Sequence, residues 1–334
     1  MASEMSKEEI EKAEAEISAE TDEFKDAIDG EDEHDGSFNV TIEEMSILRA
    51  ELASEFPEDY NYLSDSYIRS VASKPYSKDP SIRRPLEYSQ KKLNDVMRWR
   101  EEGGATELEE LVKIANGRWD APEATSDPER YTKAKALVTS LNYGSTYWHG
   151  FTKDGHPVLW LRTSRKAWYP DSDAEVNALI LLSDAGIRCM PDGITDFVVI
   201  ADSTSPPPPN PTFMVKLLKA LVKGYPDRLH QLISAPISSI VQFVMNLLLP
   251  LMPGRLAAKV LLKGAEEGKT ILKEILLNGE DDVPTFMGGT ANHDEFYPDE
   301  GYCPNRGEGT LKFDYFGMVE RLEKVKAEWE ALQK

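Results

Sequence analysis

LHQLISAPISSIVQFVMNLLLPLMPG, residues 229–254, contains no Asp, Glu, Lys or Arg over 26 positions, and the class of the whole protein turns on how it is read. A bilayer-spanning helix needs about 20 consecutive apolar residues. This stretch is long enough but wrongly built. Pro236 and Pro250 break helices, and His230, Gln231, Ser234, Ser238, Ser239, Gln242 and Asn246 are scattered through it. Its strongly apolar part, Ile240 to Met252, would reach only ~20 Å as a helix, against a hydrocarbon core of ~30 Å. Two readings remain: a buried core helix, or an exposed or movable apolar helix that touches a bilayer or covers a lipid cavity. The run 243–249, FVMNLLL, is apolar on nearly every side, more than a one-sided core requires.

The flanks favour the second reading. Residues 206–275 carry nine basic side chains (Lys216, Lys219, Lys223, Arg228, Arg255, Lys259, Lys263, Lys269, Lys273) against four acidic ones, in a chain whose net charge is −21. An apolar helix bordered by cations suits an anionic membrane surface, where each cation contributes about 1 kcal/mol.

Outward from this segment the pattern is α/β. Upstream, Phe213 to Lys223 reads as a helix and Arg228 to Ser234 as a short strand, with Asp196 to Asp202 a buried strand and Asp173 to Cys189 a helix before it. Residues 143–151 and 156–163 read as two strands joined by a turn at Asp154-Gly155. Downstream, Lys269 to Leu277 reads as a helix. Strands alternating with helices imply a mixed sheet covered by helices. Residues 41–141 are helical throughout: a capping box at Thr41 and Glu44, a short helix over Tyr60 to Ala72, a longer one starting at Asp79-Pro80 and ending at Gly103-Gly104, then Thr106 to Ile114 and Asp127 to Leu141.

The acidity is concentrated at one end. Residues 1–60 hold 21 acidic and four basic side chains. Residues 1–40 therefore read as a solvated, disordered acidic arm without the features of a targeting segment. The overall balance argues against a nucleic-acid partner. Two cysteines, Cys189 and Cys303, cannot make a disulfide framework, which points to a reduced intracellular setting. His34, His149, His156, His230 and His293 show no metal-ligand spacing, and no nucleophile elbow, phosphate loop or HExxH helix occurs. No catalytic residue and no metal are expected. The tetraproline Pro206–Pro209 reads as a stiff loop, and Gly288-Gly289 as a turn needing positive φ.

Five motifs then occur in order: DGHPVLWLR (154–162), FVVIAD (197–202), YPDRL (225–229), SAP (234–236) and VPTFMGG (283–289). Together they resemble the CRAL-TRIO lipid-binding domain family, close to its phosphatidylinositol-transfer branch, and the MRWR run at 97–100 resembles that family's N-terminal extension. The resemblance covers about residues 60–298.

It implies an α/β bowl: a mixed β-sheet floors a hydrophobic cavity, helices cover it, and a gate helix over about 240–262 closes it, preceded by a small all-helical N-terminal unit. The expected domains are an arm at 1–40, the helical unit at 41–141, the lipid-binding domain at 142–298 and a C-terminal extension with an amphipathic helix at 299–334. Carried over residue by residue, Asp227, Arg228 and Lys259 contact the lipid headgroup; Phe243, Val244, Leu247, Leu248 and Leu251 are the gate's apolar face; Trp160, Val199, Leu232 and Phe286 line the cavity. The sequence departs from the family in three places. Asp227 stands where Glu is usual, Val71-Ala72 replaces an Arg-Lys pair, and residues 203–210 (STSPPPPN) lack the polar residues that hold choline in some relatives.

The implied function is binding and transfer of one phospholipid, phosphatidylinositol favoured over phosphatidylcholine, by a non-enzymatic cytoplasmic protein that visits membrane surfaces. No cofactor other than the bound lipid and no particular oligomeric state is implied. Two other readings stay open: a carrier of a different hydrophobic ligand (retinoid, tocopherol or sterol-like), and a non-transferring scaffold that uses the acidic arm or the Phe313–Trp329 helix.

Overall fold

A computed structural model describes residues 37–76, 78–103, 105–115, 127–166, 171–208, 210–251, 254–293 and 314–333. The acidic arm up to residue 36, Cys303, and the first half of the C-terminal extension lie outside them.

The first helix, α1 (Ile42–Glu55), starts at the expected capping box: Thr41 accepts from the Glu44 amide, and Glu44 accepts from the Thr41 amide. A 3-10 turn at Tyr60–Tyr62 precedes α2 (Asp65–Ala72), capped by Ser64. A two-stranded ribbon follows, β1 (Pro75–Tyr76) against β2 (Asp79–Arg83), then α3 (Leu86–Glu102). Asp79-Pro80 therefore opens a strand and not a helix. Proline suits the first turn of a helix and an edge strand alike, and the pairing of β2 with β1 decides between them. Met45, Leu48, Leu52, Leu63, Ile68, Leu93 and Met97 build a separate core for this unit, and Val71 and Ala72 belong to it. Cationic side chains at positions 71 and 72 would be buried in that core.

After α4 (Leu108–Ala115) and α5 (Pro128–Asn142) the sheet begins. Its strands are β3 (Thr146–Phe151), β4 (Pro157–Arg162), β5 (Phe197–Asp202), β6 (Leu229–Ser234) and β7 (Val260–Leu262), in that spatial order. β3 and β4 are antiparallel and joined at Gly155, whose φ of 88° suits the turn. The other three neighbours are parallel. Each parallel step needs a crossover. These are α6 (Ser172–Arg188), α7 (Pro211–Gly224), and the pair α8 (Ser239–Leu248) and α9 (Gly254–Ala257). The chain closes with α10 (Ala265–Ile275) and α11 (Tyr315–Leu332), the latter packed on β3 through Tyr315, Met318 and Leu322.

The charge-free segment is not one helix. α8 runs ten residues from its Ser238 cap, turns through a 3-10 stretch at Leu249–Leu251 and gives way to the short α9. Val260–Leu262 then enters the sheet beside β6. Pro250, inside the 3-10 stretch, explains the break. The gate thus ends before residue 260. Among the described residues, no helix is long and apolar enough to cross a membrane.

Candidate functional site

The central strands β4 and β5 are covered on both faces, so they are apolar at almost every position, and side-chain parity assigns each residue to a face. Leu159 and Leu161 of β4, Phe197 and Val199 of β5, and Leu229 and Leu232 of β6 share the face turned toward α6 and α7. They floor a cavity of about 310 Å³, at the lower end of the ~300–1,000 Å³ usual for ligand pockets. Leu179 and Ser183 of α6 form one wall. Phe213, Met214, Leu217 and Leu221 of α7 form another. Met245 of α8 and Leu256 of α9 complete the lining from the charge-free segment. On α8, Gln242 and Asn246 are hydrogen-bonded to each other on the solvent side, one turn apart, while Met245 turns inward.

The cavity is apolar along most of its length and polar at its ends. At one end stand Tyr225, Pro226, Asp227, Arg228 and Lys259; toward the other lies Lys166, over the Phe213 ring. Tyr225 to Arg228 form a tight turn: the Arg228 amide donates to the Tyr225 carbonyl, Pro226 takes the second position, and Asp227 the third with φ of 61°. Proline followed by a positive-φ residue is a type II turn pattern, and Asp tolerates that conformation better than most residues.

Arg228 is 2% exposed. Its Nη1 donates to the Thr195 carbonyl at 2.8 Å, and its guanidinium lies 3.5 Å from the centre of the Tyr67 ring. The Tyr67 hydroxyl in turn donates to the Pro226 carbonyl at 2.9 Å, so α2 of the N-terminal unit holds this turn in place. Burial pulls the Arg228 pKa down, with the surrounding tyrosines and Asp196 opposing. Its Nη2 is buried with no hydrogen-bond partner among the described residues. Lys259 donates from Nζ to the Leu229 carbonyl at 2.5 Å, which fixes its head beside Arg228's strand.

The three headgroup candidates therefore converge on one end of the cavity. Val199 and Leu232 line it, side by side in register. Trp160 and Phe286 do not. Trp160 alternates with Leu159 and Leu161 and faces the other side of the sheet, where its ring meets Phe286 edge-on at 6.2 Å. Arg162 lies over the same Phe286 ring at 4.1 Å. Phe286 belongs to a 3-10 turn that ends at Gly288, whose φ is 80°, as the glycine pair suggested. Of the five gate positions, Phe243 is half-buried; the side chains of Val244, Leu247, Leu248 and Leu251 lie outside the described set. Residues not singled out from the sequence, chiefly Leu179, Met214, Leu217, Leu221 and Met245, supply much of the lining. Helical spacing on α7 carried that signal.

The opposite face has its own buried polar cluster. Tyr147 and His293 are hydrogen-bonded at 3.0 Å, and the His149 ring lies against His293 at a tilt of 40° with centroids 3.9 Å apart. Burial lowers the pKa of His149 to about 4 and of His293 to about 2. Both are neutral in the folded protein at pH 5, whereas in the unfolded chain, near 6.5, both are protonated. The unfolded state then binds more protons, so stability is full above pH 6.5 and falls as the pH drops toward 4. Each histidine should cost about 2 kcal/mol by pH 5. His156 works in the opposite sense. Burial opposes its charge, but Asp196 outweighs this and raises its pKa, so its contribution is present below pH 6.5 and is lost above. Urea unfolding at pH 5 and 7 should show the net acid loss, and His149→Phe should flatten it. An equal slope in that variant would refute the assignment.

Comparison with known proteins places this architecture. No curated protein matches the chain significantly. Among solved structures, that of Sfh5 aligns over 97% of this chain and 99% of its own, at 12% identity and a TM-score of 0.44. The family model described as the CRAL/TRIO domain matches residues 141–289, a span that holds the five-stranded sheet, the crossover helices that wall the cavity, and the 283–289 turn. Over residues 141–289, then, this chain is similar to the CRAL/TRIO domain.

Proposed function

We propose that this chain carries one phospholipid between membranes, with phosphatidylinositol the favoured cargo, and that it docks transiently on cytoplasmic membrane surfaces to load and unload. The observation that carries this reading is the cavity's polarity: a long apolar hollow that ends on Arg228, Lys259 and Asp227. Acyl chains gain about 0.8 kcal/mol per buried CH₂, which an apolar lining supplies. A phosphate needs charge-assisted donors. The buried Nη2 of Arg228 is one such donor, and an anionic headgroup would offset the burial of that cation. Lys259 supplies a point charge beside it, and Asp227 an acceptor for inositol hydroxyls. Residues 203–210, past the end of β5, lack the polar residues that hold choline in some relatives.

The covering segment supports transfer over permanent storage. α8 and α9 are short, joined through two prolines, and border a basic stretch, so they can part from the cavity at an anionic surface without unfolding the sheet. Lipid-exchange assays between vesicles test the reading. Lys259→Gln should weaken phosphatidylinositol loading about tenfold, equivalent to ~1.4 kcal/mol, and leave the melting temperature unchanged. Loading of a neutral sterol, tocopherol or retinoid in place of phospholipid would redirect the assignment to another hydrophobic cargo. Equal loading of phosphatidylinositol by the variant would remove Lys259 from the site.

A further inference from the structure

On the face of the sheet turned away from the cavity, the N-terminal ends of three adjacent strands bring together His156, Asp196 and His230. His156 Nδ1 lies 2.8 Å from one carboxylate oxygen of Asp196, and His230 Nδ1 lies 3.4 Å from the other. The two imidazoles stack with centroids 3.9 Å apart and an interplanar angle of 25°. One donor atom from each residue falls within 4.8 Å of the other two.

The sheet builds this arrangement. Val158 pairs with Val198, so the residues just before β4 and β5, His156 and Asp196, come side by side. Between β5 and β6 the register slips: Phe197 faces Leu229 while Val198 faces Gln231. His230 is thus the extra residue of a bulge, a feature that re-aims a side chain and recurs beside functional sites. The slip lets Leu229 and Leu232 both reach the cavity and turns His230 to the other face. There His230 is roughly half exposed, whereas His156 and Asp196 are mostly covered.

We propose that His156, Asp196 and His230 bind a borderline divalent transition-metal cation, with Zn²⁺ as the probe that fits best. Two imidazole nitrogens and one carboxylate oxygen are the donors such ions prefer, at about 2.0–2.2 Å from the metal. Ligand atoms around a tetrahedral ion of that size lie about 3.3–3.5 Å apart; the His230 separation of 3.4 Å falls inside this range, and the His156 separation of 2.8 Å, to the other carboxylate oxygen, is shorter and would open on binding. Hard cations such as Mg²⁺ and Ca²⁺ want oxygen shells and are not matched. A single ion between the three donors would be held by both ring nitrogens and the carboxylate at once. The exposed side of His230 leaves the fourth position to water. The ion would tie β4, β5 and β6 together one residue from Thr195, whose carbonyl anchors Arg228.

The full chain, stripped with chelator, should be titrated with Zn²⁺ by calorimetry and with Co²⁺ by visible absorption. The expected result is one ion per chain at this site, Co²⁺ bands in the four-coordinate range, and a melting temperature that rises with Zn²⁺ concentration. His230→Ala, at the surface and off the cavity lining, should lower affinity at least a hundredfold and abolish the bands; Asp196→Asn should do the same. Absence of Zn²⁺ binding by the parent chain would overturn the proposal. Undiminished stoichiometry and affinity in both variants would overturn it too, by placing the ion elsewhere, for example on the acidic arm.

Discussion

Asp184→Ala should lower the unfolding free energy by about 3–5 kcal/mol, the range for removing one partner of a buried ion pair. Asp184 sits on α6 and is 6% exposed. Its Oδ1 accepts from the Tyr62 hydroxyl at 2.9 Å, from Arg100 Nη1 at 2.8 Å and from the Tyr225 hydroxyl at 2.8 Å; its Oδ2 accepts from the same Arg100 nitrogen at 2.9 Å. The Arg100 guanidinium lies 3.4 Å from the centre of the Tyr62 ring. Burial and the Asp184 charge push the Tyr225 hydroxyl well above its ordinary pKa, so it remains a donor. Two of these groups, Tyr62 and Arg100, come from the N-terminal unit; Asp184 and Tyr225 belong to the walls of the cavity. Alanine leaves Arg100 buried without its counter-charge, removes the acceptor of the Tyr62 hydroxyl and leaves the Tyr225 hydroxyl only the Ile180 carbonyl at 3.1 Å. The cost should appear as a lower urea midpoint with an unchanged slope. A loss below 1 kcal/mol would mean that this cluster contributes little to holding the two units together.

The second large effect concerns the cavity. Val199 and Leu232 are register partners in the middle of its floor, so Val199→Trp with Leu232→Trp sets two indoles side by side across it. Both side chains line the hollow, so the new rings extend into it and folding should survive while the hollow is plugged. A plug that excludes even half a dozen methylenes of one acyl chain forfeits about 5 kcal/mol of burial, so lipid loading should fall by at least a thousandfold. The double variant should have a near-parental melting temperature and carry no lipid. Parental loading would show that lipid sits somewhere other than this hollow.

How far the sequence spoke for the structure follows from physical range. Features set by near neighbours were legible: the Thr41–Glu44 capping box, the turn at Gly155, the positive φ at Gly288 and α6, read over Asp173 to Cys189 and observed over Ser172–Arg188. Features set by partners distant in the chain were not. The ribbon of β1 and β2 looked helical because Asp79-Pro80 is also a helix start. The three-residue β7 was absorbed into the gate because Val260, Leu261 and Leu262 become a strand only through pairing with β6. The headgroup candidates lie close together in the chain or were carried by motif, and all three are among the residues that line the cavity. Trp160 and Phe286 were misplaced because strands buried on both faces lose the alternation that marks a side. Leu159 and Leu161 line the cavity, and Trp160, between them, must turn away. His156, Asp196 and His230 are 40 and 34 residues apart; only the strand order and the bulge at His230 bring them together.

The account stands on the hollow between the sheet and α6 to α9 receiving a lipid. Native mass spectrometry of the full chain, after incubation with vesicles that mix phosphatidylinositol, phosphatidylcholine and a sterol, tests this most directly. The expected spectrum shows one added mass per chain, that of phosphatidylinositol, lost in the double tryptophan variant and reduced in Lys259→Gln. A spectrum with no added mass from any of the three lipids would contradict it.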